Sequence, residues 1–420
     1  MIRTATVVIL GLLCGLSSSL QAQSRYYLSQ EWDTTTVIDD DDWNIEAEEP
    51  TAHTLVQTTD SIVHSGSRAL KIELYNPDKL YKRAEVAHTH KATMGAQYFY
   101  RFSMYLPTVG FPQNNTDGNT FTIITQWHAT PDFGLGETWR IPNLAFRIQE
   151  NGQLGMMLCY NAKQVNDNSD STKVNFTDPD GNFFDIPKGQ WVTFEVSVKW
   201  THTSDGYLDV WMDGDQIVNY SGPTSYNDVN GTYMKLGIYR TPWITERETI
   251  YYDNLQILRN GLIIHADEDT YVRGGSYENS NYGSSTSLTT KHNLNQLQYD
   301  RQTYLHFDYS QFADYTLDTG NLYVQPYSSN TTASLYVDQV DNTWDEATLT
   351  YLSAQSLSVL DYQGSAACDV EPFEITVPDV VLDDEISLRL SFDVLNAMMS
   401  VRSREYGTIT ERPVLFLDLD

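Results

Sequence analysis

Basic residues and cysteine are scarce in this 420-residue chain. Twenty-six Lys and Arg stand against 56 Asp and Glu, a formal charge of −30, which excludes a nucleic-acid or anionic-membrane partner because both call for a basic face. An acidic surface does not exclude an anionic ligand, since a few clustered cations can line a groove while the remaining surface keeps the protein in solution. There are three cysteines, and Cys14 falls inside the first apolar run, so no disulfide framework is available. Cys159 and Cys368 read as small buried hydrophobes. Beyond the N-terminus no stretch approaches the 18 or more consecutive apolar residues of a membrane-spanning helix, and no Pro- or Ser-rich linker interrupts the chain.

At the N-terminus, Arg3, the apolar run Val7 to Leu16 and the small-residue stretch ending in Leu20-Gln21-Ala22 have the layout of a cleaved secretory signal. Residues 1–22 are therefore expected to be removed and the product secreted, to the extracellular space, the periplasm or the cell surface. Leu13, not a small residue, precedes Cys14, which disfavours an acylated lipoprotein. From Tyr26 onward the pattern is short alternating runs rich in Tyr, Val, Ile, Thr and Trp, such as Tyr98 to Leu106 and Trp191 to Trp200, separated by turn clusters such as Asp178-Pro179-Asp180-Gly181-Asn182. This predicts an all-β chain. At this length two cores are expected: a jelly-roll sandwich over 23–260 and a second β-sandwich over 261–420, with the boundary near Leu258 to Leu262.

In a strand, residues i and i+2 share a face. Three segments carry polar groups at that spacing: Arg83 with Glu85, Gln126 with His128, and Lys235 with Gly237 and Tyr239, while Ala84, Val86, Trp127, Leu236 and Ile238 face the other way. The glycine is read as an opening through which a ligand approaches. These residue types suit β-elimination on a uronate, which removes a proton α to a carboxylate and expels the 4-linked sugar. The reaction needs the carboxylate charge neutralised, a base and an acid. Arg83 can grip the carboxylate bidentately and Gln126 can donate to it. His128, which titrates near neutrality, could take the proton or orient the carboxylate; Tyr239, with an ordinary pKa of about 10, could act as base and acid beside Lys235.

Arg-Ala-Glu-Val at 83–86, Gln-Trp-His at 126–128 and Lys-Leu-Gly-Ile-Tyr at 235–239, closed by Tyr-Tyr-Asp-Asn-Leu at 251–255, resemble the jelly-roll polysaccharide lyases that include heparin lyase I, glucuronan lyase, the alginate lyases with their R-x-E, Q-x-H and K-x-G-x-Y strands, and the ulvan lyases. The resemblance spans residues 26–258. It implies His128 and Tyr239 as the catalytic pair, with Lys163 as an alternative base, and Arg83, Gln126, Lys235, Arg240 and Glu85 in the substrate groove. Ala84, where the alginate lyases usually carry a hydroxyl residue, and Arg240, in place of their Tyr-x-Gln ending, turn the reading away from alginate. The whole-chain layout is most similar to the ulvan lyases of polysaccharide lyase family 28, which implies an endolytic enzyme acting on sulfated rhamnose and uronic acid, with Lys163, Arg140, Arg147 or Arg240 reading sulfate. No catalytic cofactor is implied. Sandwiches of this class often hold a structural calcium, for which Asp253 and Glu31 are the candidates.

In the second region, Asp269 to Gly275, Asn281-Tyr282-Gly283, Thr343-Trp344-Asp345-Glu346 and Ser403-Arg404-Glu405 resemble a carbohydrate-binding-like β-sandwich appended to secreted polysaccharide-degrading enzymes. His88 and His90 lack further ligands at a telling spacing for zinc and read as groove-lining or solvated. Asp178, Asp180 and Asn182 lack the later ligands of a calcium loop and read as a turn. A retaining glucanase of this shape would carry Glu-x-Asp-x-x-Glu on one strand, and no such strand is found. A non-catalytic adhesin stays open, because binding would draw on the same cations and aromatics.

Overall fold

The structure, a computed structural model, describes residues 27–30, 32–33, 42–47, 53–109, 121–240, 244–368 and 371–419. The signal-like segment 1–22 and Glu31 lie outside them. The regular structure of the described chain is nearly all β-strand, with one four-residue α-helix, Tyr351–Ala354, and a few short 3-10 turns. No helix among the described residues is long and apolar enough to cross a membrane.

The first unit is an antiparallel jelly-roll sandwich. The seven-stranded sheet that bears the site runs Thr172–Phe176, Leu154–Tyr160, Leu144–Gln149, Phe121–His128, Tyr233–Arg240, Arg83–His88, Trp43–Ala47. Its partner runs Asp215–Ser221, Tyr207–Met212, Trp191–Lys199, Gln97–Tyr105, Glu248–Arg259, Ala69–Leu74, Thr54–Thr59, with Tyr27–Gln30 added against Glu248–Arg259. The inward alternate positions Ala84, Val86, Trp127, Leu236 and Ile238 are buried against Tyr100, Phe102 and Phe194. Trp127 meets Tyr100 edge-on at 5.3 Å, and Phe146 meets Phe194 at 5.4 Å. Burying aromatics of this size supplies most of the drive for closing the two sheets.

The two central strands of the site-bearing sheet fall out of register between Leu236 and Tyr239, and Phe121–His128 also shifts against its other neighbour between Ile123 and Thr125. Tyr252 reaches across the sandwich to this irregularity: its hydroxyl donates to the Ile124 carbonyl and accepts the Gly237 N–H at 3.3 Å. Backbone groups that leave the ladder thus keep partners, as buried groups must. Gly237 has a φ of 140°, and a Cβ there would sit 2.4 Å from the Ala84 carbonyl oxygen. The glycine therefore serves a close backbone approach to the neighbouring strand; it is not an opening for a ligand.

Only Asn260, in the left-handed region with φ 58°, separates Glu248–Arg259 from Gly261–His265. The second unit is a sandwich of a four-stranded and an eight-stranded sheet. Its core of Leu262, Leu305, Phe307, Leu388 and Leu415 also takes in Phe99 and Trp211 from the first unit, where both rings pack edge-on against Phe312. Cys159 and Cys368 are buried, and neither forms a disulfide among the described residues.

Candidate active site

The outward face of the site-bearing sheet forms the floor of a cavity of about 640 Å³ lined by Glu46, Arg83, Gln126, His128, Trp139, Arg147, Asn168, Tyr233, Lys235 and Tyr239, among others. Strand pairing places these groups. Tyr239 lies opposite Arg83, and Lys235 lies opposite Gln126. On the outer strand Glu46 pairs with Glu85. The five outward residues of the three motifs, Arg83, Gln126, His128, Lys235 and Tyr239, are thus brought together.

Glu46 links the two cations of the floor: its Oε2 accepts Arg83 Nη1 at 2.6 Å and Lys235 Nζ at 2.8 Å. Beneath them Glu85 is buried, its Oε1 accepting the Gln126 amide and its Oε2 lying 3.3 Å from Arg83 Nε. Burial pushes the Glu85 carboxyl up, against the pull of Lys235 and Arg83 and of the Gln126 hydrogen bond. Glu85 does not line the cavity, so its expected contact with substrate is corrected: it holds Arg83 and Gln126 in place from below. The guanidinium of Arg83 also covers the Tyr239 ring at 5.3 Å, with Lys82 at 5.8 Å.

His128 Nδ1 lies 2.9 Å from the Ala129 carbonyl. A carbonyl only accepts, so Nδ1 carries the proton and Nε2 keeps its lone pair when the ring is neutral. Burial, helped by Lys235 and Arg83, pushes the imidazole down to about 4. Trp139 packs edge-on at 5.6 Å and Tyr233 sits at 5.8 Å. Tyr233, directly opposite His128 in the ladder, is held protonated by burial and by the charges of Glu46 and Glu85. Its spacing of two from Lys235 put it on the active face, a signal available in the sequence. Glu46, Trp139 and Asn168 had none, the first lying on a strand whose pairing is non-local and the others in loops.

The four cations expected to read sulfate have different fates. Arg240 is buried beside Glu248, Nη1 to Oε2 2.8 Å, and donates to the Glu246 carbonyl at 2.7 Å. It shares the inward face with Leu236 and Ile238, which corrects its placement in the groove. Lys163 is exposed and paired with Asp170 at 2.6 Å, which holds its amine up; it does not line the cavity, and an ammonium held protonated is a poor base. Arg140 is buried between Glu137, 2.8 Å, and Asp228, 2.6 Å, stitching the loops of the cavity wall. Arg147 lines the cavity with Nη2 on Asn175 Oδ1 at 2.8 Å and no carboxylate partner among the described residues.

Of the two calcium candidates, Glu31 lies outside the described residues and Asp253 is buried. Its Oδ2 accepts the His64 and Ser65 N–H groups at 2.9 and 3.2 Å, and its Oδ1 accepts that of Asn254 at 3.0 Å, a backbone-clamping role. His88 is not groove-lining either, being buried on the core side against Trp43 at 4.9 Å.

An imidazole pushed toward its neutral form and two tyrosines thus stand beside an arginine and a lysine on one face of a jelly-roll sheet, groups able to exchange protons next to a bound anion. Residues 29–256 match the family model described as polysaccharide lyase, and the chain belongs to that family. Residues 262–418 match the model of carbohydrate-binding module family 96. Among solved structures, an endo-β-1,4-glucuronan lyase from the fungus Trichoderma reesei aligns at 20% identity and TM-score 0.45 over 55% of this chain and 94% of its own. The cellulose-induced protein Cip1 aligns at 17% and 0.37 over 55% and 96%, and the alginate lyase AlyC3 at 17% and 0.34 over 46% and 75%. No curated protein matches the chain.

Proposed function

We propose that this polysaccharide lyase is a secreted, endolytic enzyme that cleaves a uronate-containing anionic polysaccharide, ulvan, by β-elimination. The reading rests on one observation above all: Arg83, Gln126 and Lys235 share a cavity floor with a neutral His128 and with Tyr239. In the proposed reaction the uronate carboxylate takes the place of Glu46 against Arg83 and Lys235, and their charge stabilises the enolate that develops as the C5 proton leaves. His128 Nε2 accepts that proton, the C4–O4 bond breaks as the C4–C5 double bond forms, and Tyr239 protonates the departing oxygen. Arg147, a cavity cation without an acid partner among the described residues, supports a substrate that carries sulfate as well as carboxylate. A second reading, favoured by the ladder pairing of His128 with Tyr233, gives the acid role to Tyr233.

Ultraviolet absorbance of the unsaturated product, followed on ulvan, glucuronan, alginate and heparin, tests the proposal. A rise on ulvan, with a rapid fall in polymer size, is the expected result. Tyr239→Phe should lower the rate by about 10²–10⁴-fold while Tyr233→Phe retains most of it; the reverse order transfers the acid role to Tyr233. Binding without any rise would overturn the lyase assignment in favour of an adhesin.

A further inference from the structure

Three motifs of the second unit, far apart in sequence, converge in space. Asp269 on the strand Glu268–Arg273, Glu346 in the loop after Ser334–Val340 and Glu405 in the turn after Met398–Arg402 each offer a carboxylate oxygen, and these oxygens all lie within 4.8 Å of one another. One cation is set among them. Arg404 Nη1 lies 3.0 Å from Glu346 Oε1, its Nε lies 3.6 Å from Glu405 Oε1, and its backbone N–H donates to Asp269 Oδ2 at 2.6 Å. Glu346 Oε2 accepts the Asp269 N–H at 3.0 Å. Two oxygens are then left buried with no hydrogen-bond partner, Asp269 Oδ1 and Glu405 Oε2, and Asp269 is only 1% exposed.

Three carboxylates against one guanidinium leave an excess of negative charge around two unpartnered oxygens. Buried charges of this kind are paired or coordinate a metal. We infer that Asp269, Glu346 and Glu405 form a divalent-cation site, and that calcium is the ion it takes. An all-oxygen set with no imidazole or thiolate selects a hard cation over zinc or copper. The spacing suits calcium, whose oxygens lie about 2.3–2.6 Å from the ion in flexible geometry, better than magnesium, which demands an octahedron at about 2.0–2.1 Å.

The other group of three acids, Asp132, Glu137 and Asp228, differs in being filled. Arg140 donates to Glu137 and Asp228, and the Val229 N–H donates to Asp132. At the Asp269 site the ion would tie three separate segments together. It would also fix the neighbouring turn, because Asn281 Nδ2 donates to the Glu346 carbonyl at 2.6 Å and the adjacent Tyr282 stacks on Tyr271 at 4.4 Å.

The experiment is calorimetric titration of the chelator-stripped full-length protein with calcium chloride and, separately, magnesium chloride, for the wild type, Asp269→Asn and Glu405→Gln, with melting curves of each. The expected result is one calcium per chain, weaker magnesium binding, and a calcium affinity lowered more than tenfold in both variants. Without metal, Asp269→Asn should melt no lower than the wild type, since it removes an uncompensated charge, yet it should lose the rise in Tm that calcium gives the wild type. A wild type that binds no calcium, or calcium binding that persists undiminished in both variants, overturns the assignment. Glu405→Gln, at a partly exposed position, keeps the test valid if Asp269→Asn fails to fold.

Discussion

Trp139 shields the ring of His128, and its removal tests how that imidazole is kept neutral. His128 is pushed from 6.5 to about 4, which at about 1.4 kcal/mol per pH unit is on the order of 3 kcal/mol in favour of the neutral form. Burial is the leading cause, and Trp139, itself 56% exposed, contributes to it through the edge contact at 5.6 Å. In Trp139→Ala water reaches the ring and the pKa moves back toward 6.5, by about one unit or more if the indole carries a third or more of the burial effect. In the proposed reaction the lone pair of the neutral ring takes the proton, so kcat/KM of the wild type should rise with pH through about 4 and be level by neutrality, and the acid limb of Trp139→Ala should lie at higher pH whatever its plateau. Stability follows the same group. Above about 6.5 folded and unfolded chains both hold the ring neutral; as pH falls from there to about 4 the unfolded chain binds the proton first, so the fold loses stability, and it should lose less in the variant. Product absorbance against pH, with the imidazole C–H resonance as an independent titration, provides the measurement. A wild-type midpoint near 6.5, or a Trp139→Ala midpoint unmoved from that of the wild type, would refute the reasoning.

Glu46→Gln removes the carboxylate that bridges Arg83 and Lys235, so KM for the anionic substrate should fall and become more sensitive to salt, as steady-state kinetics at two ionic strengths would read out. Arg240→Ala strands Glu248 in the core and should cost about 3–5 kcal/mol in denaturant unfolding without moving the pH profile. Tyr252→Phe leaves the Ile124 carbonyl and Gly237 N–H without their shared hydroxyl, for a loss of about 1–3 kcal/mol and a larger drop in kcat than in binding, because the irregular stretch that positions Tyr239 loosens. Lys163→Ala, at an exposed position outside the cavity, should leave the rate unchanged.

Strand alternation carried most of the site. The i, i+2 rule put Arg83, Gln126, His128, Lys235 and Tyr239 on one face, and all five line the cavity. The same rule, applied one residue further, excludes Arg240, which shares the face of Leu236 and Ile238; the family likeness and its positive charge argued for it against its own parity. Glu85 shows the limit of parity, which gives a side but not a depth: its face was right, and it lies under Arg83 and Gln126, out of reach of the cavity. Glu46 was beyond local reading, because its strand pairs with Arg83–His88 across residues whose pattern does not announce the pairing. Trp139 and Arg140 sit in loops, where no period exists and position follows from the contacts of the finished fold. All-β character was plain from alternating β-branched and aromatic residues, whereas the order of strands within each sheet is a property of long-range pairing.

Phe99 and Trp211 belong by sequence to the lyase unit and by packing to the core of its neighbour. The usual way to ask what an appended module contributes is to cut it off. Here the cut would strip the cover from two aromatic side chains, each of about 150–250 Å², and open a sticky surface next to the strand Glu248–Arg259 that carries Tyr252. The shortened protein would report the damage of surgery as much as the absence of a function. Point changes on the surface of the second unit, with the shared core left whole, are the way to separate the two.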